Sequence, residues 1–370
     1  MKFLKVNWHI PELIKWHVEN FGDFDSDESY SQQIDQFYAQ MYWPGNSLEK
    51  NMEKLGYVSN SLLFSKPDIC DIVSLNDAWS KEYNIVISKE RIYNTLLKQI
   101  SFYNPDILYL QAGWMFDSSF FDEIRSCCLD IKLIIISCGT YLKEQHYINA
   151  KSADIVITVC DNLKIEFIKR GVNSEVLRHA FDERVLKHIQ TARNKANKIL
   201  FSGSIGGRFV NDVQRHSYRN DIVRYLYART GKVDILSPKS EYIKKFENVK
   251  PPQFGIRRFD TISQYSVSIN VQSEAAGNSA SNVRLYEIPG VGTCLLTDHK
   301  DDLEELFDID KEVVSFNSKE EALDKAEYLL KNPDIAKKIG DSGQKRILKN
   351  HTYLNRAKEL DAIIQKHLKS

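Results

Sequence analysis

The sequence predicts an α/β fold made of two doubly wound Rossmann-like domains. Two observations carry this. Short, β-branched apolar runs alternate with amphipathic stretches, and the series occurs twice along the 370 residues. A polar, basic joint, Asp182 to Lys198, separates the two series. The length is also too great for one ordinary core and suits two domains.

The first series opens with a strand-like Met1 to Asn7, with no signal peptide visible after it. Its clearest strands are Asp106–Gln111 (DILYLQ), Lys132–Cys138 (KLIIISC) and Asp154–Cys160 (DIVITVC), runs that suit parallel strands covered on both faces. Helices are expected at Glu90–Phe102, Ser118–Cys127 and Asp161–Gly171, the last with Asp161 as its cap and Gly171 as its stop. The acidic, aromatic segment Asn20–Asn46 lacks strand periodicity and reads as an irregular insertion suited to a substrate loop, or as a surface helix with a loop. Within it, Asp23–Asp27 (DFDSD) reads as an exposed acidic loop rather than a metal motif.

The second series places strands at Lys198–Ser204, Lys232–Pro238, Ser266–Gln272, Gly292–Asp298 and Glu312–Asn317, with helices at Tyr218–Thr230 and Lys319–Leu330. A final amphipathic helix carries Leu354, Ala357, Leu360, Ile363 and Ile364 on one stripe. The expected boundaries are residues 1–181 for an N-terminal domain, 198–350 for a C-terminal domain and 351–370 for a helix crossing back onto the first.

Composition narrows the function. Lys+Arg and Asp+Glu are both 50, so the formal net charge is zero, and a nucleic-acid binder relying on bulk positive charge is not expected. No run of about 18 apolar residues predicts a membrane span. The cysteines, Cys70, Cys127, Cys128, Cys138, Cys160 and Cys294, form no C-x-x-C pair and read as reduced core residues of a cytoplasmic protein.

Two motifs point to chemistry. In Ser281–Asp298 (SNVRLYEIPGVGTCLLTD), Ser281 is placed to cap a helix whose first turns carry Asn282, Arg284 and Glu287. Free backbone N–H groups there, with Arg284 as a bidentate donor, would suit a phosphate. Glu287, one turn on, can accept from both hydroxyls of a ribose. The alternative is that both charges lie on a solvated face. The second motif is Phe201–Phe209 (FSGSIGGRF), a glycine-rich turn after a strand, with Gly203, Gly206, Gly207 and Arg208. It meets neither the dinucleotide fingerprint nor the Walker pattern. His179 stands at the end of the first domain, as a structural residue or as a candidate base.

The stretches Asn282–Phe307 and Glu320–Leu360, with Trp43–Tyr57, Tyr103–Gln111, Ser152–Val172 and Arg178–Leu186, resemble the CgeB-like (spore-maturation type) glycosyltransferases, which belong with the group-1 enzymes of GT-B fold. The resemblance implies two Rossmann-like domains facing a cleft and metal-independent transfer of a sugar from a nucleoside diphosphate sugar to a glycan, protein or small-molecule acceptor, with no cofactor. It implies that Glu287 binds the ribose, that Arg284 and Asn282 lie near the diphosphate, that Gly203 and Ser204 form the glycine turn, and that Arg219 is a basic position of the following helix. Many retaining group-1 enzymes carry a second Glu eight residues before the ribose-binding one. Here that position is Ser279, and the nearest acid is Glu274. A sugar-nucleotide epimerase of the same fold, or an inactive sugar-nucleotide or glycan-binding module, is the alternative.

Overall fold

The computed structural model describes residues 1–43, 45–65, 71–87, 92–140, 142–190, 195–206, 209–210, 213–214, 217–247, 249–272 and 276–369. The chain forms two compact units, Met1–Leu177 with Tyr353–Ser370, and Arg178–Thr352.

Unit 1 holds strands β1 (Lys2–Trp8), β2 (Val58–Phe64), β3 (Ile107–Gln111), β4 (Leu133–Cys138), β5 (Ile155–Thr158) and β6 (Ser174–Val176). All pair in parallel, in the order β2-β1-β3-β4-β5-β6. Helices α1 (Pro11–Phe21), α2 (Tyr30–Ala39) and α3 (Ser47–Glu53) lead from β1 to β2. Next come α4 (Asp71–Tyr83), α5 (Ile92–Tyr103), α6 (Ser118–Cys127), α7 (Glu144–Ala150) and α8 (Asp161–Ile168). Alternate residues explain why the strand runs are apolar throughout. Leu4, Val6, Leu108, Leu110, Ile134 and Ile136 fill one face. Phe3, Ile107, Tyr109, Leu133 and Ile135 fill the other.

Unit 2 contains β7 (Ala196–Ser202), a hairpin of β8 (Phe209–Val210) and β9 (Val213–Gln214), α9 (Ser217–Thr230), β10 (Val233–Leu236), β11 (Val249–Lys250), α10 (Gly255–Ser263) and β12 (Tyr265–Asn270). It continues through α11 (Arg284–Gly290), β13 (Cys294–Asp298), α12 (Leu303–Leu306), β14 (Val314–Phe316), α13 (Lys319–Lys331) and α14 (Pro333–Asn350). Its parallel sheet runs β11-β10-β7-β12-β13-β14. Strand order therefore reverses between β1 and β3 in unit 1, and between β7 and β12 in unit 2. In open α/β sheets, ligands bind beyond the carboxyl ends of the strands at such a point.

The last helix, α15 (Tyr353–His367), belongs to unit 1. Ala357, Leu360 and Ile364 join the core face that holds Leu48 and Met52 of α3. The Tyr57 hydroxyl donates to Asp361 Oδ1 at 2.6 Å, and Lys366 donates to Glu175 at 2.6 Å.

Four expectations are corrected. Residues 178–197, placed in the first domain or the joint, belong to unit 2, because they are bonded there. Arg178 Nη1 donates to Asp302 at 2.8 Å, Phe181 bridges Thr352, and Lys195 donates to the Gly292 carbonyl. Of the two readings of Asn20–Asn46 the helix with a loop is the one observed, but the helix is packed inward rather than lying at the surface: Ser29 caps α2, and Phe24, Tyr30, Phe37, Tyr38 and Tyr42 are buried. Its acidic tip is exposed, with Asp27 paired to Lys81 at 2.5 Å. Helix α8 is capped from Cys160, and Asp161 is its first residue. Cys128, Cys138, Cys160 and Cys294 are buried free thiols, but Cys127 is exposed; Cys70 lies outside the described residues.

Candidate functional site

The carboxyl end of β12 runs through Val271 and Gln272 toward α11, and the local hydrogen bonds fix that path. The Gln272 N–H donates to Asp298 Oδ1 at 2.8 Å, at the end of the neighbouring β13. The Gln272 side-chain oxygen accepts from Ser281 N at 2.7 Å. Gly277 takes the left-handed conformation, with φ of 58°. Asp302 then clamps the loop: Oδ1 accepts from Ala280 N at 2.6 Å, while Arg178 donates to Oδ2 at 2.8 Å and to the Ala280 carbonyl at 3.1 Å.

Helix α11 starts later than its sequence suggests. Ser281 is not the cap. Val283 stands at the cap position, already helical, and Asn282 Oδ1 accepts from Arg284 N at 3.0 Å. Seven residues with their leading N–H already bonded do not make a backbone anion site. Positive charge comes instead from side chains.

Three guanidinium groups gather round one carboxylate. Glu287 is 2% exposed, and its Oε1 accepts from Arg258 Nη2 of α10, itself 8% exposed. Arg219 of α9 donates from Nε and Nη2 to the Val271 carbonyl, at 3.1 and 2.9 Å. Arg284 is partly exposed. Burial of its guanidinium, then the positive charge of Arg258, lowers its pKa to about 10; Glu287 opposes this and Arg219 adds to it. Arg258 and Glu287 balance each other, and Arg284 adds a positive charge beside the pair. Arg258 Nε, Arg284 Nε and Glu287 Oε2 are buried without a hydrogen-bond partner in the protein, as are Asn220 Nδ2 and Gln272 Nε2 nearby in the chain. Buried polar atoms are normally bonded, so the unpartnered atoms of the Arg258–Glu287 pair and of Arg284 beside it are candidates for holding a polar ligand.

Asp298 is buried beside this edge. Burial pushes its carboxyl upward, against the charge of Lys300 at 3.2 Å and the Gln272 N–H. Neither Glu287 nor Arg284 lies on a solvated face.

The glycine turn follows β7. Gly203 N donates to the Leu236 carbonyl at 2.9 Å, Ile205 N to Ser237 Oγ at 3.1 Å, and Gly206 N to Asn220 Oδ1 at 3.2 Å. Ser204 is exposed at the tip. Gly207, Arg208 and Glu274 lie outside the described residues. His179 is half-buried in unit 2, two residues past the unit boundary, and not in the N-terminal domain where a base was expected. Arg258 escaped sequence reasoning. Its only signal is "GIRRFD", an Arg pair on a helix ahead of a strand, and nothing local ties it to Glu287, 29 residues on. Among the described residues, no group of three or more His, Cys, Asp or Glu is placed to hold a metal ion, and no helix is long and apolar enough to cross a membrane.

Comparisons with known proteins bear on the fold. Residues 215–362 match the family model for glycosyl transferase-like domains. No curated protein matches the chain. Among solved structures, the chain is similar to a glycosyltransferase from Rickettsia africae, at TM-score 0.58 and 12% identity, covering 100% of this chain and 99% of that one. It is similar to the Anabaena protein HepE in complex with UDP-glucose, at TM-score 0.57 and 11% identity, covering 99% and 100%. It is also similar to sucrose-phosphate synthase from Thermosynechococcus elongatus, at TM-score 0.55 and 10% identity, covering 99% of both chains. The fold is GT-B, shared with these solved glycosyltransferase structures, and residues 215–362 are similar to a glycosyl transferase-like domain.

Proposed function

We propose that this protein is a metal-independent glycosyltransferase of the CgeB-like type, with unit 2 holding a nucleoside diphosphate sugar and unit 1 the acceptor. The observation that carries this is the buried Arg258–Glu287 pair with Arg284 beside it, net positive, with unpartnered atoms of both signs. Arg284 Nε and Arg258 Nε are donors for phosphate oxygens. Glu287 Oε2 is an acceptor for a ribose hydroxyl. A sugar-linked diphosphate carries two negative charges, which the positive charge of Arg284 beside the balanced pair attracts. As the glycosidic bond to the donor breaks, charge grows on the leaving diphosphate, and these guanidiniums stabilise it where it forms. That supplies the role a divalent cation would otherwise play. Arg219, spent on the Val271 carbonyl, contributes field and shape rather than a direct contact.

The test is calorimetry with UDP and other nucleoside diphosphates, followed by transfer assays in EDTA. A ligand at about 100 times Kd should add roughly 2.7 kcal/mol of stability. Arg284→Ala should weaken binding by about 1.5–3 kcal/mol per charged hydrogen bond lost, with little change in folding. Activity abolished by EDTA and restored by manganese would overturn the metal-independent reading. Turnover of donor without any acceptor would point to an epimerase.

A further inference from the structure

The stretch leading into α11 is fastened at two consecutive peptide groups. Ala280 N donates to Asp302 Oδ1 at 2.6 Å, and Ser281 N donates to Gln272 Oε1 at 2.7 Å. The Ala280 carbonyl accepts from Arg178 Nη1 at 3.1 Å, and the same nitrogen donates to Asp302 Oδ2 at 2.8 Å. One guanidinium nitrogen and one carboxylate therefore close on both polar groups of a single residue, with charge-assisted bonds. Ala280 is fully buried, so its N–H and carbonyl depend on these partners rather than on water. Asp301 N donates to the Asn278 carbonyl at 3.0 Å, so the start of α12 also holds the chain two residues earlier. The side chains of Arg178 and Asp302 are each 14% exposed.

The rest of α11 is held by other groups. Gln344 Nε2 of α14 donates to the Gly290 carbonyl at 2.9 Å, and Lys195 donates to the Gly292 carbonyl just beyond the helix. Glu287, in the middle, is held by Arg258. The far end of the helix is thus anchored without the clamp, and the near end is anchored through it. Arg284 opens α11, four residues after Ala280. Its N–H is bonded to Asn282 Oδ1 at 3.0 Å, inside the stretch that the clamp delivers. Where Ala280 is held decides where this first turn begins, and so where the Arg284 guanidinium stands.

We propose that Arg178 and Asp302 are positioning residues: they grip Ala280 so that the first turn of α11 aims Arg284 at the diphosphate, and they act through Arg284 rather than on the ligand. This rests on the reading of unit 2 as the donor site.

The experiment is a calorimetric double-mutant cycle on the full chain. UDP, GDP and ADP are titrated into the parent, and the tightest binder is carried forward to Asp302→Ala, Arg178→Met, Arg178→Lys, Arg284→Ala and the double variant Asp302→Ala with Arg284→Ala. Asp302→Ala and Arg178→Met should each raise Kd at least about tenfold, the loss of one charged hydrogen bond at the phosphate. Arg178→Lys keeps a positive donor and should recover most of the affinity. The sharper readout is coupling. Once Asp302 is gone, Arg284 is already misplaced, so adding Arg284→Ala should raise Kd less than about threefold further. A merely structural pair would lower the melting temperature and the bound fraction, but would leave the cost of Arg284→Ala as it is in the parent. If Asp302→Ala fails to fold, Arg178→Met, in which Asp302 still accepts from Ala280 N, takes its place in the cycle. Parent affinity in a folded Asp302→Ala or Arg178→Met, or additive losses in the double variant, overturns the proposal and leaves the donor reading standing. A parent that binds none of the three nucleotides, or that loses nothing in Arg284→Ala, breaks the donor reading of these residues and this proposal with it.

Discussion

Glu287 was read from sequence as a ribose ligand, and the structure gives it a second task, because Oε1 holds Arg258 and only Oε2 is left over. A Glu287→Met change therefore does more than trim a ligand contact. It leaves the Arg258 guanidinium buried and unpaired, and removing one partner of a buried pair typically costs about 3–5 kcal/mol. Arg258→Met should cost a similar amount for the mirror reason. The double variant Arg258→Met with Glu287→Met places two apolar groups where two charges met. It should lose less than the sum of the single changes, with a coupling of about 1–3 kcal/mol. Urea unfolding of the parent, both singles and the double measures this. All three variants should bind UDP poorly. Additive losses would mean that the pair is not coupled, and a double variant that binds UDP like the parent would remove Arg258 and Glu287 from the donor site.

The element that presents this pair, α11, is held by shape as much as by hydrogen bonds. A Cβ on Gly290 would meet the Phe181 ring at 2.5 Å, and Phe181 is fully buried against Phe259 of α10 at 6.0 Å between centroids. Gly343 of α14 meets Pro289 Cβ at 3.0 Å in the same way. Gly290→Ala should thus cost about 1–3 kcal/mol of overpacking and shift α11, which weakens UDP binding too. Adding Phe181→Leu should restore part of both. Thermal melting with and without UDP reads each effect, and a Gly290→Ala chain that melts with the parent would show the contact to be slack. At this scale the sequence was most legible where pattern is local. Apolar runs such as KLIIISC and GTCLLTD fell on β4 and β13, and the amphipathic stripe at Leu360 and Ile364 fell on α15. The cap of α11 was misplaced because Ser281 and Asn282 are both good caps, and the choice was made by Gln272 taking the Ser281 N–H. In Asn20–Asn46 the helix was one of two readings, and its burial was missed because aromatics that bury against one another, His17 on Phe24 and Phe37 on Tyr42, leave no strand or charge pattern to read. Arg258 was invisible because only the packing of α10 against α11 brings it to Glu287.

At the scale of the whole molecule, the chain leaves unit 1 after Leu177 and returns to it at Tyr353, so unit 1 is completed only by α15. Leu360 and Ile364 are fully buried, and burial of such side chains contributes about 1.5–3 kcal/mol each. A chain ending at Thr352 should therefore lose roughly 3–6 kcal/mol from unit 1 through these two residues. Unit 2 keeps all the donor-site residues in that truncation, and UDP should still raise its melting temperature. The far end of α15 also carries a pH-dependent tether. Burial pushes the Glu175 carboxyl up, but hydrogen bonds and charge from Lys366 and Lys164 outweigh it and hold the pKa at about 2, below the ordinary 4.5. A carboxylate whose folded pKa is lowered stabilises the fold above its unfolded value, and that contribution is lost as pH falls from about 4.5 toward 2. Glu175→Gln should remove that part of the acid slope of unit 1 while leaving the UDP-dependent shift unchanged. Scans of parent, truncation and Glu175→Gln at pH 7 and pH 3, each with and without UDP, separate these effects. An acid slope that survives Glu175→Gln would place the acid sensitivity elsewhere, and a truncated chain that no longer responds to UDP would mean that unit 2 needs a complete unit 1 to hold its ligand.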